Sequence, residues 1–239
     1  MYYGFISTGN VNEKTASVYG DHCLLTADKN IMADANKIFN ALERPLAREN
    51  LLKSCKTLLV SPTNMRMQLM LLINKEIKAA KQKKPAGITL KVNSLSDKIL
   101  IAKLYEAALA GVAVKLIVRG ICCMLTHNKK NKVAVEAISI VDEYLEHARV
   151  IIFSNEGNEK VFISSADWMQ RNIDHRIEVA CPINNKKLKQ QLMDILDIQL
   201  SDNVKARQLD NRLKNEYVLH TNKKVRSQVA IFNYVNGLK

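Results

Sequence analysis

The sequence predicts an α/β domain built on a mainly parallel or mixed β-sheet. Short segments of β-branched residues alternate with amphipathic segments of about 10–16 residues that have helical periodicity, which is typical of such sheets. The composition agrees with a folded chain, because 47% of the 239 residues are hydrophobic and 25% are charged. These fractions exclude a chain that is disordered throughout.

The first fifty residues predict a short unit ahead of the main alternation. Residues 2–6 have the composition of a strand, residues 7–10 form a turn, and a helix is expected over about residues 28–42. A proline and a polar stretch then interrupt the pattern. We therefore expect a domain boundary between residues 1–50 and 51–239.

Strands and helices alternate through the rest of the chain. Strands are expected at residues 57–60, 88–92, 112–118, 150–153, 161–163 and 177–181, and helices at 65–81, 97–110, 133–146, 186–200 and 223–236. Gly111 is expected to end the second of these helices, because glycine readily adopts the left-handed conformation of a C-cap. The helix over 133–146 is predicted from Ile138, Val141 and Leu145, which would share one helical face.

The basic surplus of the chain is confined to two segments. The formal net charge is +13, from 36 Lys and Arg against 23 Asp and Glu. Residues 51–100 have a net charge of +8 and residues 201–239 one of +5, which indicates an anionic partner. Most of the first block is expected to be a solvated helix face. Nucleic acid is not expected as the partner, because only 5% of the residues are aromatic.

Cysteine usage and hydropathy favour a cytoplasmic location. The five cysteines, two of them adjacent, match neither a disulfide framework nor a zinc-ligand spacing. No run approaches the roughly 18 apolar residues of a transmembrane segment, and the first ten residues lack the features of a secretory signal. We therefore expect a cytoplasmic protein, either free or peripheral at the inner membrane face, without a transmembrane segment.

One short sequence pattern occurs twice in similar form. Residues 5–10 (FISTGN) resemble residues 162–167 (FISSAD), and each copy follows an apolar strand and has a basic residue four positions further on. Small residues allow a tight turn, while hydroxyl, amide and backbone N–H groups can bind a phosphoryl oxygen. Asn10, Asp167 and Arg171 are therefore candidate members of a phosphate pocket.

A histidine and an arginine precede the second copy of the repeat. His147 and Arg149 form a His-x-basic pair about 15–20 residues ahead of the Ser-Ser turn, which resembles the phospholipase D arrangement. In that arrangement one histidine from each half meets its counterpart, one as nucleophile on phosphorus and the other as acid and base. The first copy of the repeat has no such histidine before it in this sequence.

Several longer motifs together resemble the C-terminal part of bacterial polyphosphate kinases of the histidine-phosphorylating type. They lie at residues 7–10, 15–21, 118–123, 138–147, 164–172 and 176–179, with further matches toward the tail. The resemblance implies a phospholipase D-like mixed sheet flanked by helices. Residues 1–50 would be the C-terminal remnant of a first phospholipase D-like catalytic domain, and residues 51–239 would form the second.

This resemblance also implies a reaction. Polyphosphate kinases reversibly transfer the γ-phosphate of ATP to the end of inorganic polyphosphate through a phosphohistidine. The phosphorylated histidine and the residues that hold Mg²⁺ would lie upstream of this chain, so no metal site is assigned here. We expect little synthesis from the 239 residues alone, and we expect partners in the upstream domains of the same enzyme and in a homo-oligomer.

Three residues are assigned by the resemblance. Tyr19 matches the tyrosine that stacks on adenine, Arg119 matches the arginine that contacts the nucleotide phosphates, and His147 matches the second catalytic histidine, which also contacts ATP. We expect His147 to follow a helix C-terminus, where the helix dipole would favour its protonated form as a general acid toward ADP. The remaining histidines are expected to be surface or structural residues: His22, His127, His175 and His220.

The residues by themselves leave other readings open. Tyr19 could be a core residue, Arg119 a member of a structural ion pair, and His147 a structural histidine. The alternative functions are a phospholipase D-like phosphodiesterase or nuclease, and a non-catalytic module that binds polyanions through the basic segments. The first is weakened by Arg149, which stands where phospholipase D-like enzymes usually have lysine.

Overall fold

The structure is a computed structural model that describes residues 2–127, 129–219 and 223–238. The strands in chain order are β1 (Gly4–Ser7), β2 (Tyr19–Gly20), β3 (Cys23–Thr26), β4 (Leu59–Ser61), β5 (Gly87–Val92), β6 (Ala113–Val118), β7 (Glu136–Ile140), β8 (Leu145–Glu146), β9 (Arg149–Phe153), β10 (Lys160–Ser164), β11 (Glu178–Pro182) and β12 (Ala206–Gln208). The α-helices are α1 (Glu13–Ala16), α2 (Lys29–Glu43), α3 (Arg48–Lys53), α4 (Met65–Lys81), α5 (Lys98–Ala110), α6 (Lys186–Leu200) and α7 (Ser227–Asn236).

The main sheet is mixed and contains strands β4 to β7 and β9 to β12. Their order is β12-β7-β6-β5-β9-β10-β11-β4. Strands β5, β6 and β7 are parallel, and every other neighbouring pair is antiparallel. Val92 pairs with Val118, so β5 and β6 end together, and Ser164 at the end of β10 pairs with Arg149 at the start of β9. We call this end of the sheet the carboxyl edge.

Helices cover both faces of the sheet. Leu90, Leu116 and Ile151 pack with apolar residues of α4 and α5 on one face. On the other face, Ile117 and Val150 pack with apolar residues of α2, α3 and α6. Successive strand residues point to opposite faces, so a strand buried on both sides is apolar throughout rather than alternating. The predicted α/β class with a mixed sheet flanked by helices is confirmed.

Capping residues mark the helix ends that the sequence predicts. Asp97 accepts a hydrogen bond from the backbone N–H of Leu100 at 2.9 Å and thereby caps the N-terminus of α5. Gly111 ends the same helix with φ of 103°, in the left-handed region that glycine adopts without steric cost. The predicted C-cap is therefore confirmed.

The prediction of a helix over residues 133–146 is wrong. This segment forms β7, which is parallel to β6, and the two-residue strand β8, which pairs with β2. Ile138, Val141 and Leu145 have helical spacing, but β-branched residues also suit a sheet strand, and pairing with β6 buries Ala137, Ile138 and Ile140. As a consequence, His147 follows a strand, and the helix C-terminus expected before it is not formed.

The N-terminal fifty residues pack onto the second face of the sheet. Strands β1 and β3 form an antiparallel pair in which Ser7 lies opposite Cys23. Ile31 and Ala41 of α2 are buried in the same cluster as the strands of the main sheet. One continuous hydrophobic cluster contains residues from before and after residue 50. The division of the chain into two domains at that point therefore stays a prediction. None of the described helices is long and apolar enough to cross a membrane.

Candidate active site

The centre of the candidate site is a pair formed by His147 and Asp21. His147 lies between β8 and β9 at the carboxyl edge, and its Nδ1 is 2.9 Å from Oδ2 and 3.1 Å from Oδ1 of Asp21. Burial raises the pKa of Asp21, but hydrogen bonds from His147 and Thr8 and the positive charges nearby outweigh it, so the pKa is lowered overall. Asp21 is therefore ionised at neutral pH, and it orients the imidazole with Nδ1–H as donor.

Asp21 occupies space that only a glycine at position 9 leaves open. A Cβ atom on Gly9 would lie 1.9 Å from Oδ2 of Asp21. The hydroxyl of Thr8 also donates a hydrogen bond of 2.7 Å to Oδ1. Residues of the first repeat copy thus fix the carboxylate against a histidine more than one hundred positions away in the chain.

A buried arginine lies beside the imidazole. Nη1 of Arg149 is 3.2 Å from Nε2 of His147 and donates a 2.8 Å hydrogen bond to the carbonyl oxygen of Thr8. Asp167 holds this guanidinium through Nη2 at 2.9 Å. The same carboxylate accepts hydrogen bonds from the backbone N–H groups of Asn93 and Ser94. Asp167 is thus within the site, where it positions Arg149.

A second arginine reaches the site from the end of β6. Nε of Arg119 donates to the carbonyl oxygen of Glu146 at 3.1 Å, and Nη2 donates to Oδ1 of Asn93 at 3.0 Å. Nδ2 of Asn93 in turn donates to the carbonyl oxygen of His147 at 3.1 Å. A Cβ on Gly120 would lie 2.9 Å from the carbonyl oxygen of Asn93, so the backbone approach requires glycine there. Asn93 therefore links Arg119 to the histidine.

Tyr19 is brought to the same place by the β2–β8 pairing. Its ring centroid is 4.6 Å from that of His147, and the rings are inclined by 47°. Tyr19 pairs with Leu145, two residues before the histidine. The structure therefore places Tyr19, Arg119, His147 and Asp167 together.

The other two residues predicted for the phosphate pocket lie at the surface. Asn10 is exposed in the loop after β1, and Arg171 is exposed at the start of the π-helical turn Arg171–His175. Within the described parts of the chain, neither side chain forms a hydrogen bond to His147. Their role in phosphate binding stays a prediction.

The two repeat copies form the same pattern of hydrogen bonds. Thr8 bonds to the backbone of His22 in both directions and donates its hydroxyl to Asp21. Ser165 does the same with the backbone of Val179 and the carboxylate of Glu178. The hydroxyl and the carboxylate are 13 residues apart in both copies. Glu178 is therefore the structural equivalent of Asp21.

Sequence reasoning missed three residues of this site, Asp21, Asn93 and Glu178, and it identified Arg149 only as the basic partner of His147 in a short motif. The equal spacing of hydroxyl and carboxylate in the two copies is a signal that could have identified the two acidic residues. Asn93 has no comparable sequence signal, because it follows an ordinary apolar strand.

A charged cluster lies behind the site. Lys91 and Glu146 form a buried ion pair, and the Glu146 carboxylate also accepts hydrogen bonds from Gln199 of α6 and Gln228 of α7. Burial and the charge of Lys91 lower the pKa of His22 to about 4, so that this histidine is neutral at physiological pH. This agrees with a structural role for His22.

Among the described residues, neither His127 nor His175 forms a hydrogen bond with His147 or Asp21. His127 and His175 are exposed, and His127 exchanges backbone hydrogen bonds with the side chain of Asn211. His220 lies outside the described residues.

The residues present do not fit a magnesium site. The described parts of the chain contain no group of three His, Cys, Asp or Glu side chains arranged to hold a metal ion. The carboxylates of Asp21, Asp167 and Glu178 are engaged with His147, Arg149 and Ser165 respectively. The reaction steps proposed below therefore involve no metal ion held by the described residues.

The fold and the site together define an α/β protein with a mixed sheet whose carboxyl edge holds a histidine–aspartate pair beside two arginines. The family model described as polyphosphate kinase C-terminal domain 2 matches residues 58–228, and the model described as polyphosphate kinase C-terminal domain 1 matches residues 1–48. The chain belongs to the polyphosphate kinase family.

Individual relatives agree with this assignment. The chain is 48% identical over 238 residues to a polyphosphate kinase of Vibrio cholerae and 49% identical over 238 residues to that of Escherichia coli K12; 99% of this chain is covered in each case. The crystal structure of polyphosphate kinase from Porphyromonas gingivalis matches 98% of the chain with a TM-score of 0.92 and 42% identity. The chain spans about a third of each relative: 33%, 34% and 36%, respectively.

Proposed function

We propose that this chain forms part of the active site of an ATP:polyphosphate phosphotransferase. The reaction is the reversible transfer of the ATP γ-phosphate to the end of inorganic polyphosphate through a phosphohistidine. The observation that supports it most is the His147–Asp21 pair, set beside Arg119 and Arg149 in a member of the polyphosphate kinase family. The curated relatives, which are named polyphosphate kinases, agree with this proposal.

His147 is proposed as the general acid and base. Its Nδ1 is engaged by Asp21, so the proton that moves is carried on Nε2. In the direction of synthesis, Nε2 donates this proton to the β-phosphate oxygen of ADP as the bond to the γ-phosphorus breaks. The carboxylate of Asp21 stabilises the imidazolium before the transfer, in place of the helix dipole that the sequence predicts.

The two arginines are proposed to neutralise the phosphate oxygens during this step. Arg149 is held rigidly by Asp167 and Thr8, so its guanidinium is preorganised. Arg119 uses Nε and Nη2 for Asn93 and Glu146, and within the described residues Nη1 has no hydrogen-bond partner. A guanidinium held on one side can form a directed contact to phosphate with the other.

The nucleophile is proposed to be a histidine outside this chain that contacts Glu178. Glu178 occupies in the second repeat copy the position that Asp21 occupies in the first, and Asp21 contacts a histidine from the opposite half. By the same relation, Glu178 would accept the Nδ1–H of the partner histidine. That histidine attacks the γ-phosphorus through Nε2 and forms the phosphohistidine.

The remaining parts of the proposal concern the contacts with substrate, the metal ion, the location of the protein and its assembly. Tyr19 is proposed to stack on adenine, and Asn10 and Arg171 are proposed to contact phosphate groups from the surface of the site. Mg²⁺ is proposed to be held by residues outside this chain. The cytoplasmic location, contact with a membrane face and assembly into homo-oligomers stay predictions.

A chimeric enzyme tests the proposed function. In it, this chain replaces the matching third of the Escherichia coli polyphosphate kinase, and synthesis of polyphosphate from ATP is measured. We expect an active chimera, little synthesis by the 239 residues alone, and losses of about 10²–10⁴-fold in His147→Ala and Arg119→Ala. His127→Ala is the matched control, because His127 is exposed and, among the described residues, forms no hydrogen bond with His147 or Asp21.

Two results would contradict the proposal. One is a folded chimera without synthesis, and the other is an active chimera in which both substitutions leave the rate unchanged. Hydrolysis of bis-nitrophenyl phosphate that depends on His147, in the absence of polyphosphate synthesis, would instead support the phosphodiesterase alternative.

A further inference from the structure

A cleft lies at the edge of the main sheet opposite the carboxyl edge. It includes Lys160 at the start of β10 and Pro182 at the end of β11. The candidate active site instead uses Ser165 just after β10 and Glu178 at the start of β11. The length of these strands therefore separates the cleft from His147 and the two arginines, and its residues take no part in the proposed reaction.

Three lysines from three separate elements line this cleft. They are Lys75 of α4, Lys160 of β10 and Lys189 of α6, and the lining contains one carboxylate, that of Glu159. Nζ of Lys189 donates a 2.7 Å hydrogen bond to the carbonyl oxygen of Glu159. Among the described residues, neither Lys75 nor Lys160 forms an ion pair. Three like charges that the fold gathers around one carboxylate repel one another, and a bound anion would reduce that repulsion.

Part of the cleft wall is apolar. Leu71 of α4 lines it and is 48% exposed, and Phe162 lies beneath it, almost fully buried. An inorganic anion would leave this apolar surface in water, whereas a ligand with an organic body would cover it. The volume of the cleft, about 430 Å³, is within the range of roughly 300–1,000 Å³ of small-molecule sites.

We propose that this cleft is a second, non-catalytic site for an organic phosphate of nucleotide size. The lysines bind the phosphate groups, and the surface around Leu71 and Phe162 receives the base and sugar. Because the cleft and the active site share no residue, this proposal does not depend on the proposed function. It is therefore tested in a variant that lacks the side chains proposed to bind nucleotide in the active site.

The test uses ADP as the probe and the Tyr19→Ala, Arg119→Ala double variant of the full chain. Binding is followed by calorimetry, and lysine exposure by acetylation and mass spectrometry. We expect one saturable site, with ADP protecting Lys75, Lys160 and Lys189 but not Lys78, which is exposed on the same helix outside the cleft.

Further substitutions and ligands test the contributions of the lysines and of the apolar surface separately. Adding Lys75→Gln and Lys160→Gln should weaken ADP binding at least tenfold, whereas adding Lys78→Gln and Lys81→Gln should not. Tripolyphosphate and adenosine should each bind more weakly than ADP, because each offers only one of the two features.

Three outcomes would overturn the proposal. They are the absence of saturable ADP binding, binding that is the same with and without Lys75 and Lys160, and equal protection of the lysines by tripolyphosphate and ADP. All the substituted lysines are at the surface, so folding is checked simply by comparing thermal midpoints with that of the unsubstituted chain.

Discussion

Replacement of Asp21 by asparagine should slow the proposed phosphoryl transfer without preventing ATP binding. The carboxylate accepts hydrogen bonds from Nδ1 of His147 at 2.9 Å and from the hydroxyl of Thr8 at 2.7 Å. Asparagine keeps the shape and one acceptor oxygen, but it removes the charge. The Asp21→Asn chain should therefore fold normally and lose the stabilisation of the imidazolium.

The size of this effect follows from the contact. A hydrogen bond to a charged group contributes about 1.5–3 kcal/mol. Since each 1.36 kcal/mol changes a rate tenfold, the expected loss in kcat is roughly 10- to 150-fold. Asp21 lies at the back of the imidazole and has no proposed contact with nucleotide, so KM for ATP should change little.

Polyphosphate synthesis by the chimera is the assay, with kcat and KM measured separately. Asp28→Asn is the matched control, because Asp28 is an N-cap at α2 whose role asparagine fulfils equally well. An unchanged kcat in Asp21→Asn would refute the assigned role. A rise in KM with an unchanged kcat would also refute it, because Asp21 would then act in substrate binding.

Gly9→Ala perturbs the same contact without changing any charge. The added Cβ would lie 1.9 Å from Oδ2 of Asp21, so the carboxylate or the backbone at residue 9 must shift and the contact with His147 is disturbed. We expect a loss in kcat similar to that of Asp21→Asn. If the alanine variant folds and keeps the full rate, the position of Asp21 does not matter for the reaction.

The sequence predicts this fold well wherever the residues of a segment by themselves determine its secondary structure. Helix α5 has an N-cap at Asp97 and a glycine stop at Gly111, and the apolar residues between them have helical periodicity. The error lies at residues 133–146, where local spacing favours a helix. Pairing with β6 decides the outcome there, and that pairing is not visible from a single segment.

The same distinction separates the site residues that were predicted from those that were missed. His147 and Asp167 stand in recognisable motifs beside strands, so their place at the carboxyl edge could be expected. The partner of His147 is 126 positions away in the chain, and nothing near the histidine identifies it. Only the relation between the two repeat copies, each with its carboxylate 13 residues after the hydroxyl, encodes Asp21 and Glu178 together.

Two predictions concern the cluster behind the site and are tested by urea denaturation. The pKa of His22 in the folded chain is about 4, below the ordinary value of about 6.5, so the unfolded chain binds the proton first. The free energy of unfolding should fall by up to about 3 kcal/mol from pH 6.5 to pH 4, and His22→Gln should remove this part of the pH dependence. Lys91→Met should destabilise the chain by about 3–5 kcal/mol, because it leaves the buried Glu146 carboxylate without its counter-charge. Adding Glu146→Gln should restore most of that loss, and if it restores none, the ion pair does not explain the effect.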